Sequence, residues 1–251
     1  MAPPREETVE SKSSENLRVL PGDDLSDVFI STRGSKFRLG PGLRQEGETV
    51  VACKCGILRK KEPNDVFWID NHQKRYVPVK GETVLGIVVG KAGDVFKVDI
   101  GGSVPATLSY LAFEGATKRN RPNVAIGDVV FGRLLVANRD MEPELVCMDS
   151  AGRSGGLGIM SDGGFMFQCS LGLVRKMLSP KCTLVKQLGQ VMPVELAAGM
   201  NGRIWLRGKT VSSTITAMNA ISSAEFMTES EIRLMVHRLQ DSVSGMWSGI
   251  S

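Results

Sequence analysis

The chain is 251 residues long, 42% hydrophobic, with 31 lysines and arginines against 27 aspartates and glutamates and a formal net charge of +4. That length buries a sizeable core in one to three domains, and 28 glycines with only 6% aromatic residues favour several small β-rich units over one large helical core. No apolar run is long enough to span a bilayer, the start Met1–Glu7 is too polar for a secretion signal, and the mild basic bias permits a nucleic-acid partner without requiring one.

Residues 1–16 are polar and charged and are expected to be disordered. From 17 to 79, turn signals at Pro21-Gly22-Asp23, Pro41-Gly42 and Glu62-Pro63-Asn64-Asp65 punctuate apolar pieces such as Val50-Val51-Ala52 and Val66-Phe67-Trp68-Ile69. This pattern predicts a small all-β N-terminal domain. Residues 80–149 carry five strand-like runs: Thr83–Val89, Val95–Ile100, Pro105–Ser109, Val129–Val136 and Glu144–Met148. Gly90–Asp94 links the first pair and Ala137–Pro143 the last. Five short strands in so short a segment predict an OB-fold barrel. On the second strand Phe96, Val98 and Ile100 share one face and Lys97 and Asp99 the other, as a filled barrel with a polar outer face requires.

Residues 150–240 change character. Glycine-rich Ala151–Gly164 is expected to be a linker, followed by a strand at Phe165–Cys169. Leu171, Val174 and Leu178 sit at helical spacing before Ser179-Pro180 stops that helix. Thr183–Leu188 is expected to be a second short helix ended by Gly189, and two strands flank the turn Gly199-Met200-Asn201-Gly202. Val211, Ile215, Met218 and Ile221 mark a longer helix. Thr228 with Glu231 forms a capping box for a last helix whose Ile232, Met235, Val236 and Leu239 share a face. Residues 241–251 are expected to be a flexible tail.

The order β-α-α-β-β-α with an added C-terminal helix is that of a KH domain. KH domains clamp an RNA backbone with a glycine-paired loop, normally between two helices. Here the glycine pair lies between strands instead, and the clamp position holds Ser179-Pro180-Lys181-Cys182. Glycine permits close backbone approach to phosphates, and proline lacks the N–H that would bind them. The usual KH clamp is therefore not expected to operate.

Several strings resemble one family: Val51-Ala52-Cys53-Lys54-Cys55-Gly56, Leu108-Ser109-Tyr110-Leu111, Phe113–Pro122, Val136-Ala137-Asn138, Asp140-Met141-Glu142-Pro143-Glu144 and Gly199–Trp205. Together with the domain order they are similar to the S1/KH cap subunits of the RNA exosome, within them the ribosomal-RNA-processing protein 40 (exosome component 3) family. The resemblance runs from Leu17 to Leu239. It implies an S1-type OB barrel and a non-catalytic subunit seated with other S1/KH cap subunits on a ring of RNase PH-like proteins. The S1 barrels would line a pore that threads RNA toward an associated 3'-to-5' exoribonuclease, in RNA processing and decay. It also implies that Gly199, Asn201 and Gly202 are structural and pack against the S1 domain. The runner-up is a free-standing S1/KH factor of translation or ribosome assembly.

In OB folds nucleic acid lies across strands two and three and under the loops that join strands one to two and four to five. That rule selects Lys91, Lys97, Tyr110, Asn138 and Arg139, and Lys118, Arg119 and Arg121 add a basic cluster before strand four. Such residues meet phosphates without reading bases. Trp205 is expected to anchor the KH unit on the S1 unit. The run Lys54, Arg59, Lys60, Lys61, Lys74, Arg75 and Lys80 marks one side of the N-terminal domain, where the resemblance favours docking on ring subunits.

Five cysteines, Cys53, Cys55, Cys147, Cys169 and Cys182, form no even framework and point to a reducing compartment, cytosol or nucleus; the resemblance implies nucleus (including nucleolus) and cytoplasm. Cys53-Lys54-Cys55 with His72 lacks the spacing of a structural zinc site, and no carboxylates converge as a two-metal nuclease needs. No cofactor, metal, catalytic residue or membrane association is expected, and His72 and His237 are ordinary surface side chains.

Overall fold

The computed structural model describes residues 17–30, 37–61, 65–138, 140–180 and 182–247. The start 1–16, the turn residues Glu62, Pro63 and Asn64, the candidate Arg139, Lys181 and residues 248–251 lie outside the described residues. The chain forms two compact units that divide between His72 and Gln73.

The first unit contains strands β1 (Arg18–Val19), β2 (Arg38–Leu39), β3 (Leu43–Glu46), β4 (Thr49–Ala52), β5 (Gly56–Lys61) and β6 (Val66–Asp70). They form a sheet in the order β1-β5-β6-β2, with β2 parallel to β6, and a β3-β4 hairpin. A short helix, α1 (Ser26–Ile30), corrects the all-β expectation. Its start is set locally, because the Asp24 carboxylate accepts the Ser26 N–H at 2.9 Å. Five residues are too few to show helical periodicity. Phe29 of this helix packs 4.7 Å from Phe67 in a core with Val19, Leu25, Val50, Leu58 and Ile69.

The second unit opens with the barrel. Strands β7 (Thr83–Ala92), β8 (Val95–Asp99), β9 (Ala106–Phe113), β10 (Val129–Val136) and β11 (Glu144–Cys147) pair in the order β11-β9-β8-β7-β10, and β11 also pairs with β10. That last pairing closes the sheet and removes its edges. Phe96, Val98 and Ile100 point inward and are buried, as the alternation requires. β7 runs three residues beyond its expected end, so the first link shrinks to Gly93-Asp94. Gly93 takes a φ of +61° there, which the glycine-first two-residue hairpin turn needs. Tyr76 already belongs to the barrel core and its hydroxyl donates to Glu82 at 2.7 Å, so the chain enters the barrel before the expected start at residue 80.

The glycine-rich segment is more than a linker. Its strand β12 (Gly158–Ile159) pairs with β10. The KH part follows as β13 (Phe165–Gln168), α2 (Leu171–Leu178), α3 (Leu184–Val191), β14 (Val194–Ala198), β15 (Arg203–Gly208), α4 (Val211–Ser223) and α5 (Glu229–Trp247). The antiparallel sheet order is β13-β15-β14. Three helix expectations change. α3 continues through Gly189, because burial of Leu184 and Leu188 outweighs a glycine cost of about 1 kcal/mol. α4 buries Ala217, Ala220 and Ile221, while Val211 (76%) and Ile215 (49%) are exposed. α5 runs into the segment expected as a flexible tail, since residues 240–244 contain neither glycine nor proline to stop it.

The KH sheet is covered on both faces, which explains the unbroken apolar run Ile204-Trp205-Leu206. Ile204 and Leu206 face the helices in a core with Leu173, Val174, Ile221 and Ile232. Trp205 points the other way, into a cluster with Leu85 of the barrel, Ala197 and the partly buried Phe131 and Met166.

Candidate nucleic-acid interface

On the outer face of the barrel, β8 and β9 pair with Lys97 opposite Thr107. Thr107 donates its N–H to the Pro143 carbonyl at 2.8 Å, which places Pro143 beside these strands. Lys97 completes that link with an ion pair to Glu142 at 3.5 Å. At the hairpin end of β8, Lys91 lies opposite Phe96 and holds its ammonium 5.5 Å from that ring. Arg121 reaches the same end and pairs with Asp94 at 3.1 Å. The structure thus brings Arg121 of the 114–121 loop to the hairpin end of the barrel and sets Glu142 and Pro143 beside the β8–β9 face.

The candidates differ in what they present there. Lys91, Lys118 and Arg119 are exposed and form no ion pair among the described residues. Lys118 and Arg119 sit on a turn built by Thr117, whose N–H donates to the Asn120 carbonyl at 2.9 Å and whose hydroxyl accepts the Asn120 N–H at 3.0 Å. Lys97 and Arg121 are partly neutralised by Glu142 and Asp94. Asn138 is exposed and its side-chain oxygen accepts the Asp140 N–H at 3.5 Å. Tyr110 leaves the set. It is 6% exposed in the barrel core, and the Arg121 guanidinium covers its ring at 4.7 Å. Along β9 the residues at 106, 108, 110 and 112 all point inward, so strand alternation from Leu108 places Tyr110 inside.

The Gly199–Gly202 turn seats against β7. Asn201 is 5% exposed, and its side-chain oxygen accepts the Leu85 N–H at 3.3 Å. Its amide donates to the carbonyls of Leu85 at 2.7 Å and Ile100 at 2.8 Å, while the Met200 N–H donates to Thr83 at 2.8 Å. β7 pairs with β8 only from Ile87 onward. The turn therefore supplies hydrogen bonds to the stretch of β7 that β8 does not reach. Both glycines are required sterically: a Cβ on Gly199 would lie 2.6 Å from the Leu85 nitrogen, and Gly202 has a φ of +80°.

Two further residues of this junction are not singled out by sequence reasoning. Arg203 donates to the Asp99 carbonyl at 2.5 Å and carboxylate at 2.6 Å. Burial pushes the Asp99 carboxyl up, but the bonds from Arg203 and the Gly101 N–H outweigh it and hold the group below its ordinary value. Gly164 lies under Trp205, where a methyl group would overlap the indole. Position next to the glycine turn is the available signal for Arg203; nothing local marks Gly164.

Among the described residues, no three His, Cys, Asp or Glu side chains gather as a metal site, and no helix is long and apolar enough to cross a membrane. All five cysteines are free, with Cys53 and Cys55 exposed. His237 lies on the surface beside Asp241.

Comparison with known proteins agrees with this architecture. A family model described as exosome complex component RRP40, S1 domain, matches residues 76–158, a KH domain model matches 164–212, and one for the mammalian RRP40 N-terminal region matches 17–72. Exosome complex component RRP40 of Mus musculus is 53% identical over 207 residues, covering 81% of this chain and 76% of that protein. The RRP40 of Drosophila melanogaster is 45% identical, covering 91% and 98%, and that of Saccharomyces cerevisiae is 32% identical, covering 81% and 86%. With an S1 barrel and a KH domain in that order, the chain belongs to the RRP40 family of exosome complex components.

Proposed function

We propose that this chain is a non-catalytic RNA-binding cap subunit of the exosome. It stabilises the ring of RNase PH-like subunits together with other S1/KH cap subunits. It guides RNA across its barrel into the central pore toward an associated 3'-to-5' exoribonuclease, in the nucleus (including the nucleolus) and the cytoplasm. Lys118 and Arg119 carry this reading: they project from a hydrogen-bonded turn that Arg121 pins to the barrel's hairpin end. With Tyr110 buried, this surface offers cations for phosphates and no stacking platform at that position. Such a surface suits RNA of any sequence. Gly199, Asn201, Gly202 and Trp205 act as the fastening between S1 and KH, supported by the Asn201 bonds and the Trp205 cluster.

Replacing Lys118 and Arg119 together by alanine should weaken single-stranded RNA binding about 5- to 20-fold and lower the salt slope by about 1.4, at roughly 0.7 per lost phosphate contact. Unchanged affinity and slope would remove the barrel from the RNA path. Affinity purification should recover RNase PH-like proteins; recovery of ribosomal particles alone would favour a free-standing factor. Labelled RNA incubated with pure protein and magnesium or phosphate should stay intact, and shortening abolished by a point substitution in this chain would overturn the non-catalytic assignment.

A further inference from the structure

We propose a second phosphate-binding position, in the cleft where the S1 and KH parts meet. The cleft has a volume of about 270 Å³ and is lined by Lys74, Arg75, Arg203, Gln168 and Gly101, with Asn201 and Tyr76 completing its wall. No lining residue is acidic. Lys74 and Arg75 are exposed and form no ion pair among the described residues. They are held in place by their neighbour Tyr76, which is locked into the barrel core through Glu82, while the Gln73 amide donates to the Arg75 carbonyl at 2.9 Å.

The nearby carboxylate is already engaged. Asp99 accepts the Gly101 N–H at 2.9 Å on one oxygen and the Arg203 guanidinium at 2.6 Å on the other. Arg203 has five N–H donors, of which Asp99 takes two, so donors remain beside the two free cations. Gln168 is exposed and adds an amide donor. Asn201 has both its amide hydrogens and its oxygen engaged, so it shapes the wall without binding. A group of cations and an amide, with the carboxylate that Arg203 touches already satisfied, fits a phosphate.

The cleft opens at Gly101, at the end of β8 opposite the Gly93-Asp94 hairpin. About 20 Å of strand separates the two ends at roughly 3.3 Å per residue. The ligand is therefore a phosphodiester of a single RNA strand that also crosses the barrel face, and this assignment rests on the RNA-binding function proposed above. Lys74 and Arg75 lie in the second unit, which moves them out of the N-terminal basic run in which the sequence places them.

The test compares the full chain with Lys74→Ala/Arg75→Ala and Lys118→Ala/Arg119→Ala variants by fluorescence anisotropy with mixed-sequence single-stranded RNA. The cleft variant should bind about 5- to 20-fold more weakly, with a salt slope lower by about 1.4, and keep its melting temperature. Photo-crosslinking of 4-thiouridine RNA to the unaltered chain should label peptides carrying Lys74-Arg75 or Gln168. If only the Lys118→Ala/Arg119→Ala variant is impaired and no such peptide is labelled, the cleft proposal fails and the barrel surface stands. If neither variant is impaired, RNA binding by this surface fails and takes the cleft with it. Inorganic phosphate should compete with RNA on the unaltered chain and compete less well in the cleft variant, which keeps only the Lys118 and Arg119 position. Phosphate that binds the cleft while RNA affinity ignores the double substitution would assign it to a free anion and overturn the proposal.

Discussion

Asn201 is the buried polar side chain among the described residues, and its three bonds show why an asparagine stands there. Its amide has the donor and acceptor pattern of a peptide group, so it satisfies both backbone groups of Leu85 as a neighbouring strand would. Alanine at this position leaves those groups buried and unpaired, and denaturant titration should show a loss of about 2–4 kcal/mol. Asn201→Asp should be harsher than Asn201→Ala in the same titration: a carboxylate cannot donate to the Leu85 and Ile100 carbonyls. Trp205→Ala removes a side chain that is 3% exposed and should cost about 3–5 kcal/mol. Its RNA affinity, measured below the melting range, should stay near that of the unaltered chain. The Asp99–Arg203 pair adds a pH dependence. Asp99 is held below its ordinary 3.8, so its contribution is present above that pH and is lost as pH falls from there through the lower folded value. Asp99→Asn should flatten this acid limb in pH-resolved thermal melts; an unchanged limb would show that other carboxylates govern it.

At the scale of elements, the 114–121 loop carries the RNA contacts proposed above, and Arg121 holds it. Its guanidinium pairs with Asp94 and lies over Tyr110, so one side chain fastens the loop to the β7–β8 hairpin and to the core. Arg121→Ala should speed amide exchange at Thr117 and Asn120 and weaken RNA binding. Arg121→Lys keeps the charge without the flat stacking group, so exchange should still rise while affinity recovers in part. Equal exchange in all three proteins would show that the Thr117–Asn120 turn stands unaided. The barrel strands and the KH order were legible in the sequence because their apolar residues recur at periods of 2 and 3.6. The failures lie where packing overrides that signal. Tyr110 looks like a binding aromatic until its phase with Leu108 is counted. On α4 the larger Val211 and Ile215 stay outside, because only small residues such as Ala217 and Ala220 let that helix approach its sheet closely. The cleft was illegible for another reason: Lys74, Gly101, Gln168 and Arg203 come together only through the S1–KH junction.

For the molecule as a whole, the consequence of this junction is that barrel and KH domain should open together. Two thiols can report on it, Cys147 buried and Cys169 partly buried. Cys147 ends β11 in the barrel, and Cys169 follows β13 in the KH part, where its N–H donates to the Gly202 carbonyl at 2.7 Å. Burial raises both thiols to about 12, so neither supplies thiolate at neutral pH, whereas Cys53 and Cys55 are exposed. Alkylation in increasing urea, read by mass spectrometry, should therefore modify Cys53 and Cys55 in the native protein. Cys147 and Cys169 should follow together over one denaturant range. Asn201→Ala removes bonds that cross the junction without touching either thiol. Cys169 should then react at lower urea than Cys147, because the KH sheet loses its hold on β7 while the closed barrel keeps its own strand pairing. If the two thiols already separate in the unaltered chain, the junction does not couple the domains. If they stay together in the variant, Trp205 and its apolar neighbours carry the coupling without Asn201.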